Sequence, residues 1–276
     1  MKKIFIFMAA IVAAMSVNAA VVWTGEHSTG TEWSALRLIP ADYSLLADLE
    51  GGDVLVVTMT ADAADARIML QDGDWNDFTD FYNVYDAPSG AYAFVLNDAD
   101  AAKITEKGVC VTGFNYTISQ VEIFYHKEVV WTGSVSDNTG WAQSDPIVNS
   151  VFAGLQEGDL LGVEVSAIND GEAWHQYGVY VNWSACILSG LRSSAGINAH
   201  VLSAEVVDNL QNQTITISAQ YLDVAQLHTY KSTKSGGTVA IDNTSVQKTS
   251  VKVLRDGVMY IQRGENLYNM QGQIVK

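Results

Sequence analysis

The sequence predicts an all-β chain: two tandem antiparallel β-sandwich modules of jelly-roll type, then a short C-terminal β-hairpin tail. Three observations carry this. The pentapeptide VVWTG stands at 21–25 and again at 129–133. Between the copies, short runs rich in β-branched and aromatic residues alternate apolar with polar, which is the period of strands. Gly, Asp and Asn, the residues of tight turns, separate those runs at the spacing of a sandwich.

The elements follow in order. Residues 1–19 carry Lys2 and Lys3, an apolar run, and small residues ending in Val17 and Ala19. That pattern is a secretory signal peptide, too short in its apolar run to span a bilayer. No cysteine follows it directly, so a lipid anchor is not expected. Module 1 covers 21–126. Its strands are expected at 54–59, 66–70, 91–96, 108–113 and 116–125, with helical stretches at DYSLLADL and DADAAKITE. Module 2 covers 128–231 and repeats the series: LLGVEV, YGVYVNW, INAHVL, QTITISAQ and LDVAQLHTY, with helices at IVNSVFAGL and SAEVVDNLQ. Leu49-Glu50-Gly51-Gly52-Asp53 aligns with Leu155-Gln156-Glu157-Gly158-Asp159, and Cys110 with Thr216. Residues 232–249 are polar and contain Gly and Ser, as a linker does. The tail, 250–276, has short strands around Asp256-Gly257 and Gly264-Glu265, both hairpin turn signals.

Composition narrows the function. With 15 Lys+Arg against 31 Asp+Glu, the formal net charge is −16. Such a surface repels phosphate backbones and anionic lipid heads, so neither nucleic acid nor membrane insertion is expected. The two cysteines, Cys110 and Cys186, lie in different modules without equivalents, so no pairing is expected. Histidines 27, 126, 175, 200 and 228 lack metal-ligand spacing, and no Gly-x-Ser-x-Gly elbow or phosphate loop occurs. The run 72–77 starts like a calcium loop but has Asp77 at the glycine position and Asn83 at the glutamate position. Neither an enzyme nor a cofactor is expected.

The candidate ligand groups are aromatic, because a flat ring can stack on the apolar C–H face of a sugar. Trp23 and Trp131 sit in alternating opening strands and are expected in the core. Trp33 and Trp141 end Gly/Ser/Thr loops, where a core role and a ligand role are both open. Trp75 stands among Asp72, Asp74 and Asn76, a polar loop that favours exposure. Trp174, in NDGEAWHQY, and Trp183, ending VYVNW, complete the ligand-binding set.

On VVWTG, the following Trp33 or Trp141, Gly52-Asp53 and Gly158-Asp159, LQDGDW (70–75) and GVCVTGF (108–114), the modules resemble the galactose-binding-like sandwich repeats of exported Bacteroidetes proteins. Module 2 departs from that pattern at VYVNWS. The resemblance implies binding of a neutral glycan or polysaccharide. The alternative is a structural or adhesive surface protein that contacts other proteins. The tail is similar to type IX secretion sorting segments at Leu254-Arg255-Asp256-Gly257, Tyr268-Asn269 and the stretch from Gly272-Gln273 to Lys276. That likeness implies passage across the outer membrane and a surface-protein partner. A hairpin docked on module 2 is the other reading.

Overall fold

The computed structural model describes residues 19–78, 82–125, 127–136, 141–169, 174–191 and 193–232, and four strands after residue 250. The leader through residue 18 and the linker from residue 233 lie outside the described residues.

Eight strands come first: β1 (Ala19–Ser28), β2 (Ser34–Leu38), β3 (Val54–Ala61), β4 (Arg67–Asp72), β5 (Asn83–Val84), β6 (Gly90–Val95), β7 (Val109–Phe114) and β8 (Tyr116–Phe124). They form two antiparallel sheets, a back sheet ordered β1-β8-β3-β6 and a front sheet ordered β2-β7-β4-β5. This is the jelly-roll order. Leu55, Val57, Met59, Ile118 and Val121 of the back sheet meet Leu36, Leu38, Ile68, Leu70 and Val111 of the front sheet in one buried core. Alternation puts these residues on one face, with a register shift in β8 that brings Ile118 and Val121 to the same side. Helix α1 (Asp98–Lys107) begins at Asn97, whose side chain accepts from the Asp100 N–H, and ends at Gly108 with φ 90°.

Eight more strands repeat the design: β9 (Glu128–Ser136), β10 (Ala142–Gln143), β11 (Leu160–Ile168), β12 (Gln176–Val181), β13 (Ala185–Leu191), β14 (Gly196–Val201), β15 (Ile215–Gln220) and β16 (Leu222–Tyr230). The back sheet is β9-β16-β11-β14 and the front sheet β10-β15-β12-β13, the same order as in the first sandwich. The helix α2 (Ala204–Asn212) takes the place of α1. DYSLLADL and IVNSVFAGL fold as short 3-10 turns, Ser44–Asp48 and Asn149–Phe152.

Two local devices explain the repeated motifs. In VVWTG the Trp ring lies along its own strand over the glycine two residues on. A Cβ placed on Gly25 would stand 2.7 Å from Trp23 Cζ2, and one on Gly133 2.2 Å from Trp131 Cζ2. The glycine thus lets Trp23 and Trp131 lie down and pack, half-buried, against the two cores. We predict that Gly133→Val lowers stability by about 1–3 kcal/mol through this clash. Denaturant titration checks it: the cost should vanish in a Trp131→Ala background, and an undiminished cost there would contradict the packing.

The second device is the Gly-Asp turn. Asp53 Oδ2 accepts from the Glu50 N–H at 2.9 Å, and Asp159 Oδ2 from the Gln156 N–H at 2.8 Å. Gly52 and Gly158 both have φ near 90° (95° and 90°), a region glycine enters without strain.

The two sandwiches are packed together. The outward sides of the back sheets meet: Ala19, Val54, Val56 and Phe124 lie against Leu160 and Tyr230, flanked by Ala93, Val95, Ala199 and Val201. The contact uses equivalent residues from both copies, such as Phe124 with Tyr230 and Val54 with Leu160, as a two-fold interface does. The Tyr230 hydroxyl donates to Gly52 O at 3.0 Å across it. Ala19, the last residue of the expected leader, is the first residue of β1 and is buried in this layer.

The chain from Gly236 onward is a separate compact unit. Its strands β17 (Val251–Arg255), β18 (Val258–Arg263), β19 (Asn266–Tyr268) and β20 (Ile274–Val275) pair antiparallel in that order. The tail is therefore a four-stranded meander and not a single hairpin.

Candidate functional site

Strand register assembles the site. On the front sheet of the first sandwich, Arg67 pairs with Phe114, and Ile68 with Val84. Ser34 pairs with Gly113, which sets Trp33 beside Phe114 and Tyr85 beside Arg67. One row thus crosses all four strands on the side away from the core: Trp33, Phe114, Arg67, Tyr85. A second row, Ala35, Thr112, Met69 and Asn83, runs parallel to it.

The first row is built as a platform. Trp33 and Tyr85 are 52% and 60% exposed, far more than burial-driven packing leaves to such large rings. The Arg67 guanidinium lies over both, 4.9 Å from the Trp33 ring centre and 4.2 Å from that of Tyr85. Cation–π attraction holds this stack. Asn83 Oδ1 accepts from Arg67 Nε at 2.9 Å and fixes the plane of the guanidinium. Phe114 meets Trp33 edge to face at 5.4 Å. The row therefore offers apolar ring faces beside fixed donors.

Trp75 stands beyond the far end of β4, about 20 Å from Arg67 by strand rise. It is exposed and has φ 71°, a strained value for a bulky residue. The turn that imposes this is locked by Asp72. That residue is 2% exposed, and its Oδ1 accepts from the N–H groups of Asp74 and Asn76, both at 2.9 Å. The Asn76 side-chain amide donates to both carboxylate oxygens, and Lys107 Nζ lies 3.5 Å away. Burial acts to raise the Asp72 pKa, but the Asn76 and Asp74 hydrogen bonds and the Lys107 charge outweigh it and hold it below the ordinary carboxylate value. This corrects the expectation for Asp72: its carboxylate is spent inside the turn, where it holds Trp75, while Asn76 donates to it and stays exposed. Asp74 is exposed and pairs with Lys107 at 3.3 Å. Among the described residues no cluster of three or more metal-ligating side chains forms.

The second sandwich carries an equivalent face with different chemistry. Gln220 pairs with Gln176, and Gln176 with Leu191, while Trp141 precedes β10 at the same end. Gln176 Nε2 donates to Gln220 Oε1 at 2.8 Å, so amides stand where the first face has Arg67 and Phe114. Ser218, Gly178 and Ser189 form the next row, and Tyr180 follows. A Cβ on Gly178 would lie 2.6 Å from the Tyr180 ring, so that ring lies down on the sheet. Trp183 follows β12 with φ 64°, the counterpart of Trp75. Trp174, 59% exposed, precedes β12 at the Trp141 end. Trp33 and Trp141, which the sequence left open between core and surface, are both exposed.

The structure also supplies residues that sequence reasoning missed: Arg67, Asn83, Tyr85 and Phe114 on one face, and Gln143, Gln176, Tyr180 and Gln220 on the other. Strand alternation alone could have flagged Arg67, an isolated cation opening an otherwise apolar run. Both thiols are free. Cys110 lies on the outer side of the front sheet, covered by its neighbours, and burial pushes its pKa up to about 11, which keeps it a protonated, unreactive thiol.

Burial lowers the pKa of two histidines in the second sandwich, the fully buried His228 and the partly buried His200. His200 fills the position that Phe94 holds in the first sandwich, and its Nε2 is 2.6 Å from the Tyr177 hydroxyl. Burial lowers its pKa to about 4 from the ordinary 6.5. The unfolded chain therefore takes up a proton near pH 6.5 while the folded chain resists until about pH 4. Stability from this group is complete above pH 6.5 and declines as pH falls towards 4, by on the order of 3 kcal/mol. His200→Phe should flatten that part of the profile in a denaturant series between pH 7 and 4. An unchanged slope would contradict the assignment.

No family model matches the chain, and no curated protein matches it. A Bacteroides ovatus mixed-linkage glucan utilization locus protein, SGBP-B, solved with a mixed-linkage heptasaccharide, is 21% identical over 38% of this chain, with a TM-score of 0.32; the match spans 29% of that protein. The N-terminal CBM22 tandem domain of Paenibacillus barcinonensis Xyn10C is 10% identical, covering 76% of this chain and 97% of that one, with a TM-score of 0.19. A secreted protein of Parabacteroides distasonis is 7% identical over 79% of this chain and 82% of that one, with a TM-score of 0.20.

Proposed function

We propose that the front sheet of the first sandwich binds a neutral glycan without chemistry on it. The observation that carries this is the exposed Trp33–Arg67–Tyr85 stack across the sheet. Pyranose rings can lie on such ring faces, while Arg67, Asn83 and Gln71 offer hydrogen bonds to hydroxyls. Arg67 and Asn83 are already held by packing and by each other, so little side-chain freedom is lost on binding. Trp75 extends the platform to the other end of β4. The common two-carboxylate route of glycoside hydrolysis needs a facing pair. Among the described residues at this end of the face, Asp77 accepts from Gln71 Nε2 and Asp74 pairs with Lys107. The leader and the tail fit an exported protein that meets its glycan outside the cell.

Trp, Tyr and Arg are also the residues that dominate protein–protein hot spots. A surface-protein partner is thus the second reading. Affinity electrophoresis in gels containing β-glucan, xylan, galactomannan or starch separates the two. Retardation in at least one gel, relieved by the free polysaccharide, supports glycan binding. Unretarded migration in every gel would overturn it.

Trp75→Ala gives a further check. Trp75 is exposed and no core contact depends on it, so the melting temperature should move by less than about 2 °C while retardation weakens. A large drop in melting temperature would assign Trp75 to packing instead.

A further inference from the structure

The back sheets are joined through their outward sides, so the four sheets stack as front, back, back, front. Each front sheet is the outermost layer on its own side, and the two aromatic faces look in opposite directions. At about 10 Å per sheet-to-sheet spacing, they stand about 30 Å apart across the stack. Only residues 125–127 connect β8 to β9, and the Tyr230–Gly52 bond ties the layers, so the faces cannot swing round to the same side without opening a buried apolar contact.

We propose that the second front sheet, with Trp141, Gln143, Gln176, Tyr180, Gln220 and Trp183, is a second glycan site, and that the protein cross-links separate polysaccharide strands. This rests on the glycan reading of the first face. Two sites on one side would clamp a single strand and add avidity. Two sites facing apart give one strand access to only one of them, and the second remains open for another strand. The faces also differ in what they offer. The first presents a guanidinium between rings. The second presents the uncharged Gln176 and Gln220 amides, which can donate to and accept from sugar hydroxyls. The two strands need not be the same polymer.

The test uses the full chain and whichever gel polysaccharide, or pair of them, retards it. Light scattering is followed as protein is added to the dissolved polymer. The expected result is a rise through a maximum at intermediate ratio and a fall in protein excess, where every strand is coated singly. Two paired variants, Trp33→Ala with Arg67→Ala and Trp141→Ala with Gln176→Ala, should each keep retardation through the remaining face and reduce scattering to the sum of the components. Their melting temperatures confirm folding, since Trp33 and Trp141 are both exposed. Retardation of the wild type without any rise in scattering would overturn cross-linking and leave the first site standing. Scattering by the one-face variants equal to wild type would also overturn it, because self-association would then be the cause. Absence of retardation by every polysaccharide would overturn the glycan reading and this proposal together.

Discussion

Replacing Trp33 and Arg67 together by alanine should weaken polysaccharide binding at the first face by at least tenfold and leave the fold intact. Trp33 supplies the largest exposed ring of the row, and Arg67 is the cation held over it and over Tyr85. Anchors of these residue types, fixed by neighbours, each contribute about 2 kcal/mol or more to recognition. A loss of about 1.4 kcal/mol is already tenfold. The stability cost should stay within about 1 kcal/mol, because what is lost is an exposed ring, its edge contact with Phe114 and a surface stack. The effect belongs in the dissociation constant, measured by calorimetry with a soluble oligosaccharide from the retarding polymer. To isolate the first face, the measurement is made in a Trp141→Ala/Gln176→Ala background.

Asp159→Ala should give the largest loss of stability at any single polar position. Its carboxylate is fully buried and accepts from two N–H groups, Gln156 at 2.8 Å and Ser232 at 2.7 Å. Truncation leaves both donors without their acceptor, the buried Ser232 N–H and the part-buried Gln156 N–H, at a cost of about 1–3 kcal/mol each. The Ser232 bond also anchors the chain just after β16, so the loss reaches the edge where the sandwiches meet. Denaturant unfolding should show a decrease of about 3 kcal/mol or more, with partial recovery in Asp159→Asn, whose one carbonyl oxygen can still accept. A decrease under about 1 kcal/mol would contradict this role.

How legible was this molecule in its sequence? The long central strands β3, β8, β11 and β16 are rich in β-branched and aromatic residues bounded by turn signals, and that marks them plainly. The helices α1 and α2 also show themselves, through Asn97 and Ser203 as caps ahead of their first turns. The short edge strands β2, β5 and β10 did not, because two to five residues carry too little periodicity. Strand β13 was missed since it lies at a sheet edge with none of its residues fully buried. The last strand of the tail meander, β20, was missed for the same shortage of length. The aromatic row illustrates a deeper limit. Trp33, Arg67, Tyr85 and Phe114 come from four strands, and only pairing register puts them in one line. Tryptophan content drew attention to Trp33, Trp75, Trp141, Trp174 and Trp183, all of which are exposed. It could not show that Arg67 and Tyr85 complete the platform, or that Asp72 is buried beneath the turn it seemed to decorate. The back-to-back contact was hidden for another reason. Val54, Val56 and Phe124 continue apolar runs that also feed the sandwich core, and a run buried on both faces does not say what covers its second face.

The most direct test of the central claim is a crystal structure of the protein with a bound oligosaccharide cut from the polymer that retards it. Sugar rings should lie on Trp33 and Tyr85, with hydroxyls within hydrogen-bond distance of Arg67 and Asn83. An oligosaccharide bound elsewhere, with the Trp33–Arg67–Tyr85 row bare, would contradict it.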